Sequence, residues 1–483
     1  MRVLRDKYGN IVKLDGIGKE QSMIYLFCPE LCKDMYQLQG KWPTRNSLEP
    51  LHCYRQSREH IYNGQYGLVT RSDSHWKRCS QARRILSQGE LWSNFRSKVA
   101  PHMIRPEIVK IYSTYIDEIT SDLVENMRMV RDPETLELPH DFINELYKWS
   151  LESMCSIALN CRLGCLKSDL TMDSEPQIMI NSVREVFDLI YLLENTPSVF
   201  QQINTRNLER LFCILDTINE ISERYVEEAT MKCMEATNNT NLDNYSKLQK
   251  FVPETKFLDN TKLENRSILE KLLRIDKQIA NVMALDIIMS TDTTSNAAAA
   301  LLYCMAINRE KQETLRKEVM SVLPDEATPV TYDILNKIPY TKSCIKESLR
   351  LFPITNGTLR TMQKDVSIGG YMIPKGADVI ACHALLSMDP AYFSQPNSFI
   401  PERWIRGTSE YSSYKQSHPY AYMPFGFGVR TCIGRKFAEM KLKIVLLKVI
   451  RNFRIEWHYG PLEYKSQVTN TVTSPLRLKL SNL

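Results

Sequence analysis

The chain has 483 residues, 43% hydrophobic and 24% charged, a balance that excludes a disordered chain and leaves ample material for a large core. Its net charge of +6 spreads 62 basic against 56 acidic residues, too dilute to point to nucleic acid. Thirteen cysteines, odd in number and without a CxxC pair, read as reduced thiols, and the absence of any run of about 18 apolar residues argues against a membrane-spanning helix.

In chain order, residues 9–27 alternate enough to predict short strands, and most of 92–273 reads as amphipathic helices. The stretch 71–85 (RSDSHWKRCSQARRI) looks inserted between two segments that would otherwise join. Apolar residues between 187 and 200 suit either a patch lying on a membrane surface or ordinary core. At 235–260 the text turns polar and Asn-rich, which predicts a solvated loop. Residues 277–308 are apolar almost all round, predicting one buried helix of roughly 48 Å at 1.5 Å per residue. After it come two amphipathic segments, the second at 340–351, and a small β-structure at 365–381 punctuated by Gly-Gly and Pro-Lys-Gly turns. No linker or repeat divides the chain, so one folding unit over 1–483 is expected.

The sharpest chemical signal is FGFGVRTCIG at Phe425–Gly434, followed by an apolar helical run. Cys432 would sit where a helix begins, and free N–H groups with the positive dipole end there favour a thiolate. Gly426, Gly428 and Gly434 would allow tight turns and close approach of backbone to sulfur or to a flat ligand. The segment matches the haem-binding loop of cytochromes P-450, FxxGxRxCxG, at every defined position. The resemblance implies a mainly α fold, the cytochrome P-450 fold, with a long central distal helix and minor β-sheets. It implies haem b (iron protoporphyrin IX) as cofactor, Cys432 as its sulfur ligand, Phe425, Gly426 and Gly434 in the binding loop, and Arg430 on a haem propionate. A thiolate ligand pushes electron density to the iron and favours O–O cleavage.

Further positions match the same family. Glu347 and Arg350 (ExxR) with Arg403 in PERW resemble its buried Glu–Arg–Arg folding network. Trp92 and Arg96 (WSNFR) and Arg360 resemble further propionate partners, since two buried carboxylates require charge-assisted hydrogen bonds. Asp292 and Thr293, polar within the apolar run, resemble the distal acid–alcohol pair that helps deliver protons during oxygen activation; hydroxyls bonded back to the preceding turn are the structural alternative. The residues before them, Met289 and Ser290, depart from the family's usual small pair. A substrate pocket would draw on Met283, Asp286, Ile287, Met289, 354–358 and a turn near Val472, positions that ordinary core explains equally well.

Lys342 and Lys346, i and i+4 on the helix carrying Glu347, with Arg435 and Lys436, resemble the docking set of the mitochondrial clan of animal cytochromes P-450. GKWPTR, RSKVAPHM and CIGRKFAE resemble that clan too. It implies an adrenodoxin-like ferredoxin as electron donor, O2 and a lipophilic, sterol-like substrate, and peripheral attachment at the matrix side of the mitochondrial inner membrane. No nucleic-acid partner is implied. The usual leader and first helix are not seen, so an N-terminally incomplete chain is expected. A haem-thiolate isomerase or dehydratase, and a haem-binding protein without turnover, stay open at this point.

Overall fold

A computed structural model describes residues 1–15, 22–65, 67–68, 88–194, 206–238, 266–411 and 417–483. Helices dominate, and the sheets are small. The largest sheet has four strands, β1 (Ile11–Leu14), β2 (Met23–Leu26), β3 (Thr358–Thr361) and β4 (Asp378–Ala381), in the order β1-β2-β4-β3. β2 and β4 run parallel with Met23 opposite Asp378, while β1–β2 and β3–β4 are antiparallel. The sheet thus ties the N-terminal region to the last third of the chain.

Seven helices position the site: α1 (Glu49–Ser57), α2 (Gln88–Met103), α3 (Pro106–Val130), α4 (Ile143–Ala158), α5 (Lys277–Ile288), α6 (Thr291–Ile307) and α7 (Pro339–Leu351), with α8 (Arg435–Asn452) following the cysteine loop. α3 starts with proline at its first position, where no N–H is required, and buries Ile108, Tyr112, Ile116, Ile119, Leu123 and Met127 at three- and four-residue spacing. That stripe faces α8, whose buried residues include Phe437, Met440, Ile444 and Val445. α4 packs across α5 and α6 on the other side.

The run expected as one helix over 277–308 is two helices. α5 ends at Ile288 and α6 begins at Thr291. Met289 N still donates four residues back to Leu285 O (2.9 Å), but Ser290 N reaches only Ile287 O (3.0 Å), which tightens the turn. Three hydroxyls compete for the same backbone carbonyls: Ser290 Oγ bonds Ile287 O, Thr291 Oγ1 bonds Ile288 O and Thr293 Oγ1 bonds Ser290 O, at 2.6, 2.7 and 2.9 Å. Side chains inserted into the ladder at consecutive turns bend a helix.

The 33-residue helix Arg206–Asn238 runs into the stretch expected as loop, so 235–238 are helical; 239–260 lie outside the described residues. The stretch 71–85 also lies outside them, as do 195–200 of the apolar segment. Of the described part, Leu189, Ile190 and Leu193 are buried and Leu192 is half exposed. Among the described residues no helix is long and apolar enough to cross a membrane, and every described cysteine is a free thiol.

Candidate functional site

Cys432 lies on the loop between a short 3-10 turn (Gly428–Arg430) and α8. Gly426 and Gly428 hold φ of +71° and +75°, left-handed conformations that other residues adopt only under strain. They fold the loop back so that Cys432 N donates to Phe425 O at 3.0 Å. Gly434 caps α8 with ordinary backbone angles, and a methyl added there would meet Cys432 Sγ at 3.9 Å, normal contact. Protein packing alone therefore does not require glycine at 434.

Cys432 is exposed at the loop surface, and the groups packed around its thiol set its titration. Burial pushes the thiol above its ordinary value of 9.0, against the Gly434 N–H and the positive charges of Arg96, Arg435 and Arg45, which pull it down. The helix start acts in the direction expected, through the Gly434 N–H, and desolvation acts against it. A metal ion bound to the sulfur would reverse the balance, because coordination deprotonates a thiol outright.

Four arginines from four parts of the chain gather beside this loop. Arg430 donates through Nε to Pro43 O (2.9 Å), and its guanidinium lies 3.7 Å above the centre of the Trp92 ring. Arg96, one turn beyond Trp92 on α2, donates to Thr431 O at 2.6 Å. Arg360, on β3, is held by Gln39 Oε1 (2.6 Å) and Phe427 O (3.2 Å). Arg45 donates to Leu68 O at 3.2 Å. Burial first, then Arg45, Arg360 and Arg96, press the pKa of Arg430 down to about 8, and burial with Arg45 presses Arg360 down to about 10. Guanidinium groups hold their protons, so what the numbers express is like charges confined together out of water.

The carboxylates nearby are bonded within the chain, and their charges also reach Arg45. Asp286 pairs with Arg55, and Glu194 accepts the backbone N–H groups of Leu48 and Glu49. A flat ligand bearing two carboxylates and a metal that takes one sulfur fits this donor set, and haem is such a ligand. Arg45 was missed as a site residue although it ends the GKWPTR phrase; a basic residue directly after a Pro-Thr turn was its only local signal.

Glu347, Arg350 and Arg403 meet in a fully enclosed network. Glu347 accepts from Arg350 Nη2 (2.8 Å) and Nε (3.0 Å), Arg403 Nε (3.1 Å), Ile400 N (3.0 Å) and Trp404 Nε1 (2.9 Å). The remaining guanidinium donors reach the carbonyls of Ser387, Pro396 and Ser398 from Arg350, and Ser394 Oγ and Gln395 O from Arg403.

On the distal side, Asp292 and Thr293 are adjacent in sequence but turn to different partners. The buried Asp292 carboxylate accepts from Tyr147 OH, Thr469 Oγ1 (2.6 Å) and Asn296 Nδ2 (3.1 Å), while Thr293 bonds back to the Ser290 carbonyl. Burial raises the Asp292 pKa against those three hydrogen bonds. Tyr147, Asn296 and Thr469 were not read from the sequence; Asn296, one turn after Asp292, carried the available signal.

Among the residues expected to line a pocket, Ile354 and Val472 flank a small cleft with Asn296, Ala300 and Phe352. Asp286 does not belong with them: it is bonded to Arg55 Nη2 at 2.6 Å and Leu68 N at 2.8 Å. Met283, Ile287 and Met289 are buried in the main core. On the outer face, Lys342, Lys346 and Arg435 lie near enough that their charges depress the Lys346 pKa, after burial. Lys443, not anticipated, joins them; Glu439 stands inside the cluster, paired with Arg435 at 2.8 Å, and Lys436 is exposed.

The chain matches the family model for Cytochrome P450 over residues 1–480. It is 35% identical over 494 aligned residues to Cytochrome P450 CYP12A2 of Musca domestica, an alignment covering 100% of this chain and 86% of that protein. The probable cytochrome P450 12a5, mitochondrial, of Drosophila melanogaster is 32% identical over 491 residues, covering 99% and 85%. Among solved structures, the heme domain of cytochrome P450DA superposes with a TM-score of 0.72 at 19% identity, covering 100% of this chain and 91% of that one, a likeness of fold.

Proposed function

Because the chain belongs to the cytochrome P450 family, whose members are haem-containing monooxygenases, we propose that it inserts one oxygen atom of O2 into a lipophilic, sterol-like molecule, with Cys432 as the sulfur ligand of the haem iron. The observation that carries this reading is the gathering of Arg45, Arg96, Arg360 and Arg430 beside the Cys432 loop, where Arg45, Arg360 and Arg96 act together on Arg430, and Arg96 and Arg45 act on the Cys432 thiol. Haem, when bound, supplies the oxygen activation. The protein's part is to present the sulfur on a preformed loop, to hold the two propionates with arginines fixed by backbone carbonyls and the Trp92 ring, and to keep water from the apolar interior around α5 and α6. Asp292 is the proton-handling group, and it would exchange at least one of its bonds to Tyr147, Thr469 or Asn296 to act beside Thr293.

Electrons come one at a time from NADPH through a ferredoxin reductase and a ferredoxin. The basic group of exposed Lys346 and Arg435 with half-buried Lys342 and Lys443, and exposed Lys436 next to Arg435 in sequence, supports an acidic donor, since such a face steers opposite charge. Relatives named as mitochondrial support a mitochondrial address, which we place at the matrix side of the inner membrane with peripheral attachment.

The test is the reduced carbon-monoxide difference spectrum of wild type beside Cys432→Ala, followed in the same cuvette by ferredoxin-driven NADPH oxidation. A thiolate-type Soret shift lost in the variant, with turnover that needs the donor, is the expected result. No shift in the wild type sinks the assignment of Cys432; a shift without turnover sinks the donor and the reaction.

A further inference from the structure

We propose that the buried Arg55–Asp286 ion pair and the backbone at Gly67–Leu68 form a clamp that sets Trp92 and Arg45 within the arginine group, so that residues outside the cysteine loop govern how firmly haem is retained. The proposal rests on reading the four arginines as the haem-carboxylate site.

Asp286, on α5, and Arg55, on α1, have side chains 4% and 0% exposed and meet at 2.6 Å. A buried ion pair contributes little net stability, because desolvating two charges offsets their attraction, and fixing one arrangement is its better-attested use. Here it fixes the backbone of Leu68. Asp286 Oδ2 takes the Leu68 N–H at 2.8 Å, and the Leu68 carbonyl accepts from both Arg45 Nη2 (3.2 Å) and Trp92 Nε1 (3.3 Å). Trp92 in turn carries the Arg430 guanidinium on its ring. One residue therefore links an acid on the distal helix to two arginines of the group.

Gly67 gives independent support. Its φ is +79°, and a methyl there would lie 2.3 Å from Arg55 Nη1, 2.7 Å from Asp286 Oδ2 and 2.9 Å from Val282 Cγ1. Only a backbone without a side chain can run so close over the ion pair. The approach that lets Leu68 reach Asp286 on one side and Arg45 and Trp92 on the other is thus built around a glycine.

The experiment follows haem transfer from the holoprotein to excess apomyoglobin by Soret absorbance, with resonance Raman of the propionate-bending band. The variants are Asp286→Asn and the double Arg55→Met/Asp286→Leu, which replaces the pair by apolar groups and keeps the test alive should the single variant not fold. Both are expected to lose haem about tenfold faster, the lower end for groups that orient a cofactor's direct partners, with the propionate band displaced and the thermal midpoint of the double variant near wild type. Wild-type loss rates in the variants, or faster loss with an unmoved band, would overturn the clamp. Arg430→Leu runs in parallel: faster loss there with unchanged clamp variants overturns the clamp alone, and unchanged loss in all of them overturns the arginine reading as well.

Discussion

Two groups of arginines, one fully buried and one partly so, lie within this molecule, and they are held differently. Around Glu347 the donors are met from inside the chain: one carboxylate faces both Arg350 and Arg403, and the remaining donors end on carbonyls and a serine. Around Cys432, Arg45, Arg360 and Arg96 press on Arg430, while Asp286 and Glu194, each bonded to other groups as well, act on Arg45. The difference bears on how a structural network is told from a binding site. Guanidinium donors that all end on a carboxylate, carbonyls and a hydroxyl hold the fold together, whereas guanidiniums crowded against one another are, on the reading proposed above, half of a site that an anionic ligand completes.

That contrast can be broken by substitution, beginning where the largest effect is expected. Glu347→Ala strands two fully buried guanidiniums and should cost about 3–5 kcal/mol, enough to abolish most folded protein, read as the yield and denaturation midpoint of the apoprotein. A loss under about 1 kcal/mol would mean the network is not the internal balance described.

His383 supplies a third case, a buried base that burial alone pushes down to about 4 from 6.5. Between those values the unfolded chain takes up a proton that the folded chain refuses, so stability falls as pH drops through that window, by up to about 3 kcal/mol. His383→Leu should flatten the pH dependence of the denaturation midpoint between pH 6.5 and 4; an unchanged slope would contradict a neutral buried imidazole.

Arg430→Leu carries the smallest expected effect on the apoprotein and the most discriminating. Removing one of several repelling cations should shift apoprotein stability by less than about 1 kcal/mol in either direction. Its haem loss should nonetheless rise about tenfold. A large loss of apoprotein stability would place Arg430 with the Glu347 type of network.

Much of this was legible because the signals are local. Glu347 and Arg350 share one helix face, PERW lies some 50 residues on, and FGFGVRTCIG is contiguous, so residue order carried the geometry. The mainly α fold with small sheets followed from periodicity. What escaped was set by competition or by distance. The break at Met289–Ser290 hides in an apolar run because hydroxyl capture of carbonyls leaves no mark in hydrophobic spacing. Asp286 read as pocket lining because Arg55, its partner, is 231 residues away. The desolvation that opposes the helix start at Cys432 went unread because a helix start is visible in sequence and the packing around a side chain is not. Lys441 lies in the apolar run after the cysteine yet is fully buried, its ammonium bonded to Ser150 O and Oγ, a placement no pattern announces.

The Glu347 network also has a consequence for chain entropy. Its members lie between residues 347 and 404, so its closure needs only modest loops within the last third of the chain. The arginine group spans Arg45 to Arg430 and cannot assemble until the two ends of the polypeptide have met. Chain entropy therefore weighs unequally on the two groups: the Glu347 network closes over short loops, and the arginine group closes only across most of the chain.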